Sequence, residues 1–223
     1  MKPWDIVTFD CYGTLIDWDG GIAAAFRSAL AADGVDLPLH RVLATYHELE
    51  PVVQAEPFRC YRDVLTETTR RVAARLDWTL LPSRVSFLAD SLPTWTPFPD
   101  TNQALMRLVG AGLRLGILSN VDDDLLTSTR RHFPVPFEPG LVITAQGVKS
   151  YKPGAAHFET ARARIGGGRW LHAAQSYFHD IAPARRFGIP SAWINRTGER
   201  LGAASGALIE VRTLAAFAEW MLG

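Results

Sequence analysis

A short apolar run that ends in a carboxylate and a turn constrains this chain more than any other feature. In Asp5-Ile6-Val7-Thr8-Phe9-Asp10-Cys11-Tyr12-Gly13-Thr14-Leu15, residues 6–9 read as a buried strand, Asp10 closes it and Gly13 marks the turn. A strand of this kind delivers Asp10 to the carboxyl edge of a sheet, where open α/β proteins hold their ligands. On this stretch alone, an Asp that merely caps a turn is an equally good reading.

The next residues do not continue the sheet. Ile22 to Ala32 is Ala-rich and helical, with Gly34 as its stop, and a second helix is expected over Leu39 to Gln54. Over Tyr61 to Leu76 an apolar stripe of Val64, Leu65, Thr68, Val72 and Leu76 has helical spacing. Val85, Leu88, Ala89 and Leu92 predict a fourth helix. From Pro97 the pattern alternates: helix over Asn102–Val109, strand over Leu113–Ser119, helix over Asp122–His132, strand over Leu141–Thr144 and helix over His157–Ile165. Strands at Leu171–Ser176 and Ala192–Asn195 flank a helix that starts near Asp180, and Val211–Leu222 forms a last amphipathic helix. The economical architecture is an α/β protein: a parallel sheet with helices on both faces, built from residues 1–16 and 97–223, and an all-helical cap inserted at 17–96. Such an insertion sits over the strand end that carries Asp10, with Gly20-Gly21 and Pro97 to Pro99 as its pivots. Gly166-Gly167-Gly168 lacks the Lys-Ser/Thr of a phosphate loop and reads as a connection.

Composition narrows the function. Lys plus Arg and Asp plus Glu both number 23, so no global field attracts nucleic acid or an anionic membrane, and a small-molecule site is expected. Met1-Lys2-Pro3-Trp4 carries no apolar signal region and no run of about 18 apolar residues follows, which predicts a soluble, cytoplasmic protein. Cys11 and Cys60 are read as reduced thiols. The six histidines, His40, His47, His132, His157, His172 and His179, show no metal-ligand spacing and read mostly as surface or packing residues.

Polar clusters fall where strands end: Asp10 to Thr14, Ser119-Asn120, Lys149 to Pro153 and Gln175 to Asp180. In a doubly wound sheet they converge on one crevice. The motifs Phe9-Asp10-Cys11-Tyr12-Gly13-Thr14-Leu15, Leu118-Ser119-Asn120, Tyr151-Lys152-Pro153 and Ser176 through Asp180 with its sequel to Arg196 resemble those of the haloacid dehalogenase (HAD) superfamily, in order and with the helical cap in place. The resemblance implies a Rossmann-like core and Asp10 as nucleophile. Phosphatases of that superfamily carry a second Asp where this chain has Tyr12, and a magnesium-binding Asp where it has Gln175. Phosphoryl transfer needs a cation and a proton for the leaving group, whereas a halide leaves without one. The Tyr12-Gly13-Thr14 version of the first motif resembles that of the L-2-haloacid dehalogenase branch, and this resemblance implies no metal and no cofactor.

On that resemblance Asp10 attacks C2 of a small 2-haloalkanoic acid, and water cleaves the aspartyl ester to give the 2-hydroxy acid and halide. A carboxylate gains nucleophilicity when a closed site removes its hydration and aims it. Lys152 would offset the negative charge of Asp10, Asp180 and substrate, and Asp180 would hold Lys152 and orient the water. Ser119 and Thr14 are expected to bind the substrate carboxylate or steady Asp10, Asn120 to lie near the departing halide, and Tyr12 to wall the pocket. Gln175 and Tyr177, which differ from the residues of related enzymes, are expected to reshape it. For the cap cation that cradles the halide, Arg41 is favoured over His47, Arg59 and Arg62. The expected partners are the 2-haloacid and water, with a homodimer compatible with the cap helices or exposed edges. The alternatives are a magnesium-dependent phosphatase using Asp10, the Tyr12 carbonyl and Asp180, another carbon-heteroatom hydrolase with the same Asp10, and a binding module that no longer turns over.

Overall fold

Every side chain of β1 (Ile6–Phe9) is buried, the condition of a strand covered on both faces. In the computed structural model, which describes residues 3–223, β1 pairs in parallel with β2 (Arg114–Ser119) on one side and β4 (Trp170–Ala174) on the other. Met1 and Lys2, part of the stretch read for a signal segment, lie outside the described residues. With β3 (Val142–Thr144), β5 (Ser191–Ile194) and β6 (Ile209–Val211) the sheet has six parallel strands in the order β3-β2-β1-β4-β5-β6. This order reverses direction beside β1, and that reversal opens a crevice at the carboxyl ends of β1 and β4.

Alternation along the strands divides the interior in two. Val7, Phe9, Leu115, Ile117, Leu171 and Ala173 face one layer together with α5 (Thr101–Gly110) and α10 (Leu214–Leu222). Ile6, Leu118 and Trp170 face the other, against α8 (Ala156–Ile165) and α9 (Ala182–Arg186). Two shorter helices, α6 (Asp123–Thr129) and α7 (Ala145–Val148), follow β2 and β3.

Between β1 and α5 run α1 (Trp18–Asp33), α2 (Leu39–Gln54), α3 (Tyr61–Arg75) and α4 (Phe87–Ser91). Asp17 caps α1 by accepting from the Gly20 N–H at 3.0 Å, and Gly34, at φ 66°, ends it in the left-handed conformation that favours glycine. The outgoing and returning chains meet as an antiparallel bridge between Ile16 and Pro97. Beside it the Asp17 N–H donates to Thr96 O at 2.9 Å, and the Phe98 N–H to Leu15 O at 3.1 Å. The helical segment is tied down over the strand ends by Asp122, which follows β2 and whose two carboxylate oxygens accept from the first N–H groups of α3, Tyr61 at 2.8 Å and Arg62 at 2.9 Å. Gly20 and Gly21 lie inside the first turn of α1 and so are not a free pivot; a Cβ on Gly21 would collide with the Trp95 ring.

Two other elements differ from the sequence reading. Ile209–Val211 is a strand at the sheet edge, and the last helix starts only after Thr213 caps it. Asp123–Thr129 is a shorter helix than expected, continued by a 3-10 turn to His132. No helix among the described residues is long and apolar enough to cross a membrane.

Candidate active site

Asp10 leaves β1 just where the sheet ends, and Gly13, at φ 88°, turns the chain back so that Thr14 returns beneath it. The Thr14 hydroxyl donates to Asp10 Oδ2 at 2.7 Å and accepts from the Gln175 N–H at 2.8 Å, which joins the ends of β1 and β4 through one side chain. Lys152 arrives from the loop after α7. Its Nζ donates to Asp10 Oδ1 at 3.0 Å, Asp180 Oδ1 at 2.7 Å and Leu118 O at 2.8 Å, so all three of its hydrogens are used. Lys152 and Asp180 are wholly buried, and Asp10 is nearly so.

One buried ammonium thus serves two buried carboxylates, unequally. Asp180 Oδ1 takes the shorter contact and a second donor, His172 Nε2, at 3.0 Å. Burial pushes Asp180 up, but Lys152 and His172 outweigh it and hold the carboxyl far below its ordinary range. On Asp10, burial prevails over Lys152 and Thr14, and its pKa rises. Burial pulls Lys152 down while Asp10 and Asp180 push it up and win, so it stays charged. The result is one firmly ionised carboxylate and one more basic carboxylate, a split that suits two different roles. Asp180 Oδ2 and Ser119 Oγ are buried and have no partner among the described residues.

These groups open onto a cavity of about 530 Å³ between the strand ends and the helical segment. Asp10, Tyr12, Ser119, Asn120, Lys152, Gln175 and Asp180 all line it. Thr14 is buried behind Asp10. Asn120 lines the cavity but is committed: its Nδ2 donates to Lys152 O at 3.0 Å and its Oδ1 accepts from the Lys152 N–H at 2.7 Å. It fastens the lysine loop to β2. The Tyr12 hydroxyl bonds Thr129 at 2.8 Å and its ring stands edge-on to Trp95, so this residue is wall.

Two expected site residues lie elsewhere. Arg41 is exposed on the first turn of α2 and lies outside the cavity. The face of α2 that lines it carries His47, Glu50 and Gln54, spaced by three and four residues, and Arg41 lies about 120° round the helix from His47. Arg59 pairs with Glu56, and Arg62 with Asp90 and Asp124, so of the four candidates only His47 reaches the cavity. Tyr177 is also outside: it opens a π-turn, Tyr177–Ile181, and its ring packs on Trp193 at 5.6 Å. The wide turn sends residue 177 outward and brings Ser176, His179 and Asp180 to the cavity.

The cavity has lining residues beyond the expected site set. Trp18, Glu50 and Tyr61 come from the helical segment, and His179 and Arg196 from the loops after β4 and β5. Arg196 is occupied, with Thr14 O at 3.0 Å, Asp100 at 3.1 Å and the Phe98 ring beneath its guanidinium. His157 and His172 are neither surface nor simple packing: both are fully buried and hydrogen-bonded next to the site. Their signal was a polar residue at a buried strand or helix position.

The carboxylates of the site are already engaged by a side-chain cation. Lys152 already lies on both carboxylates, the third position is the neutral Gln175, and among the described residues no group of three or more His, Cys, Asp and Glu side chains converges as a metal site.

The fold is that of an α/β enzyme, with buried charged side chains gathered at the strand ends next to the helical segment. The chain belongs to the haloacid dehalogenase-like hydrolase family, whose model matches residues 4–175, and it is a hydrolase. It is 27% identical over its whole length to (S)-2-haloacid dehalogenase H-109 of Pseudomonas putida, covering 100% of that protein. It is 31% identical to an (S)-2-haloacid dehalogenase of Pseudomonas sp. strain YL, across 86% of this chain and 83% of that one. The structure of L-2-haloacid dehalogenase from Xanthobacter autotrophicus with chloropropionic acid covalently bound matches with a TM-score of 0.82 over 99% of both chains, at 18% identity, a likeness of fold.

Proposed function

We propose that this protein hydrolyses the carbon-halogen bond of a small 2-haloalkanoic acid through an ester on Asp10. The observation that carries the reading is the unequal sharing of Lys152, which leaves Asp10 basic at the cavity while Asp180 is held ionised behind it. The names of the relatives support the substrate class. An Asp10 oxygen attacks C2 from the side opposite the halogen, the carbon-halogen bond breaks, and halide leaves with its electron pair. Water then attacks the ester carbon of Asp10. Asp180 Oδ2, unpartnered among the described residues, accepts one water proton and passes it to the departing oxygen of the substrate, which leaves as a 2-hydroxy acid. The second water proton is left on the Asp10 carboxyl and is lost to solvent, restoring the carboxylate. Lys152 stabilises the charge that builds on the Asp10 oxygen during this second step. Ser119 Oγ, also unpartnered, binds the substrate carboxylate. The helical segment 17–96 acts as the lid that excludes bulk water.

The test is halide release from both enantiomers of 2-chloropropionate in EDTA, with Asp10→Asn as control. Release that survives EDTA and is lost in the variant is expected. Magnesium-dependent release of phosphate from generic phosphomonoesters, with no halide from any acid, would refute the reading.

A further inference from the structure

Beneath the carboxylates, three linked polar side chains interrupt a layer that is largely apolar. Thr8 on β1 and Trp170 and His172 on β4 point toward α8, where the Phe158 ring meets His172 edge-on at 5.4 Å. Polar groups buried in such a layer must satisfy one another. Here they form a single chain: Trp170 Nε1 donates to Thr8 Oγ1 at 2.7 Å, Thr8 Oγ1 meets His172 Nδ1 at 2.9 Å, and His172 Nε2 meets Asp180 Oδ1 at 3.0 Å.

The order of protons in this chain follows from donor chemistry. An indole N–H can only donate, so Thr8 Oγ1 accepts from Trp170. The hydroxyl hydrogen of Thr8 then has His172 Nδ1 as its acceptor, which leaves the imidazole hydrogen on Nε2, aimed at Asp180. Lys152 and His172 both deliver their hydrogens to Oδ1, and Oδ2 has no partner among the described residues. A carboxylate pinned through one oxygen by two donors cannot rotate to exchange its oxygens without breaking both bonds.

We infer that His172 is a positioning residue for the hydrolytic half of the reaction: locked by Thr8 and Trp170, it fixes Asp180 Oδ1 so that Oδ2 is presented to the water that cleaves the Asp10 ester. The inference rests on the ester reading above. Alkylation of Asp10 transfers no proton and asks nothing of Asp180 Oδ2. Hydrolysis forms a bond between the water oxygen and the Asp10 carboxyl carbon, breaks the bond from that carbon to the substrate oxygen, and needs Oδ2 to take the water proton and hand it on.

The two halves separate in a single-turnover experiment with L-2-chloropropionate, following halide by rapid quench and the Asp10 adduct by intact-protein mass. His172→Leu is expected to release its first equivalent of halide at the wild-type rate. The ester then accumulates, and its hydrolysis slows roughly 10- to 100-fold, the effect of losing one hydrogen bond to a charged group. His172→Gln, whose amide can donate to Oδ1, recovers most of the hydrolysis rate. Thr8→Val keeps the volume and the imidazole but releases the tautomer, and it slows the same half-reaction, so the inference stays testable if the Leu variant does not fold. An equal loss in both half-reactions, or hydrolysis at the wild-type rate in folded His172→Leu or Thr8→Val, would show that the chain of hydrogen bonds only stabilises the fold. Wild-type protein that yields neither halide nor adduct would instead overturn the ester reading, and this inference with it.

Discussion

Glu50→Gln removes an ionisable group from the cavity wall while keeping its shape. Glu50 is only 6% exposed, its Oε1 accepts from Gln54 Nε2 at 3.2 Å, and no Lys, Arg or His lies within ion-pair distance of it among the described residues. Burial pushes its carboxyl from an ordinary 4.5 up to about 7, against a smaller opposing pull from the Tyr61 hydroxyl. The folded state therefore holds this proton more tightly than the unfolded state does. As pH rises above 4.5 the unfolded chain releases the proton first, so stability falls through the window from 4.5 to about 7 and stays lowered above it. A shift from 4.5 to about 7 amounts to about 3 kcal/mol at pH 8 and to under about 1 kcal/mol at pH 5.

Gln cannot ionise, so Glu50→Gln is expected to stabilise the protein by about 3 kcal/mol at pH 8 and by well under half of that at pH 5. Equilibrium urea unfolding of wild type and variant at the two pH values measures the difference directly. A gain that is the same at both pH values would show that it comes from packing. A loss at pH 8 would show that the ionised carboxylate has a stabilising partner, and the reasoning from burial would fail.

Other substitutions probe the shared charge and the faces of the cavity. Lys152→Met leaves two buried carboxylates without their cation; it is expected to abolish halide release and to cost about 3–5 kcal/mol in urea unfolding. On the proposed reaction only the ionised form of Asp10 attacks, and because burial raises its pKa above the ordinary 3.8, kcat/KM for 2-chloropropionate should fall on the acid side at a pH higher than that value. Arg41→Ala and Tyr177→Phe act outside the cavity and should leave kcat/KM within about twofold, whereas His47→Gln, inside it, should change KM. A loss of activity in Arg41→Ala would mean that α2 turns its other face to the substrate during turnover.

The parts of the site that were legible in the sequence are those fixed by local pattern. An apolar run followed by a carboxylate announces a strand end, and so Asp10, Ser119, Lys152 and Asp180 could be brought together on topology alone. α2 is periodic over Leu39–Gln54 and has the expected bounds. Which of its faces meets the core depends on how the helix docks, and residue type is a poor guide to that: a charge pattern points to Arg41, while the face that meets the cavity carries His47 and Glu50. The π-turn at Tyr177–Ile181 has no signature in a 3.6-residue period, which by itself turns Tyr177 inward. β6 escaped because a three-residue edge strand, half exposed, has no buried run to show. His172 was legible only as a polar residue in a strand, since its meaning lies in Thr8, which is far away in sequence and adjacent across β1 and β4.

The raised pKa of Glu50 bears on substrate as well as on stability. Lys152 is committed to Asp10 and Asp180, Arg196 to Asp100 and the Thr14 carbonyl, and His47 lies 3.5 Å from Asp19. Among the described residues that line the cavity, every Lys, Arg and His has an acidic partner except His179, which burial keeps below its ordinary value and which bonds Ser176 at 3.1 Å. On the proposed reaction the substrate carboxylate would therefore be held mainly by dipoles such as the Ser119 hydroxyl and would be sensitive to any further negative charge in the same space. A neutral Glu50 adds none, and an ionised one does. On the proposed reaction, KM for the anionic acid should climb as pH passes about 7 in the wild type and stay flat in Glu50→Gln. The group that lowers stability above neutrality would then also set the upper pH at which the cavity admits its substrate.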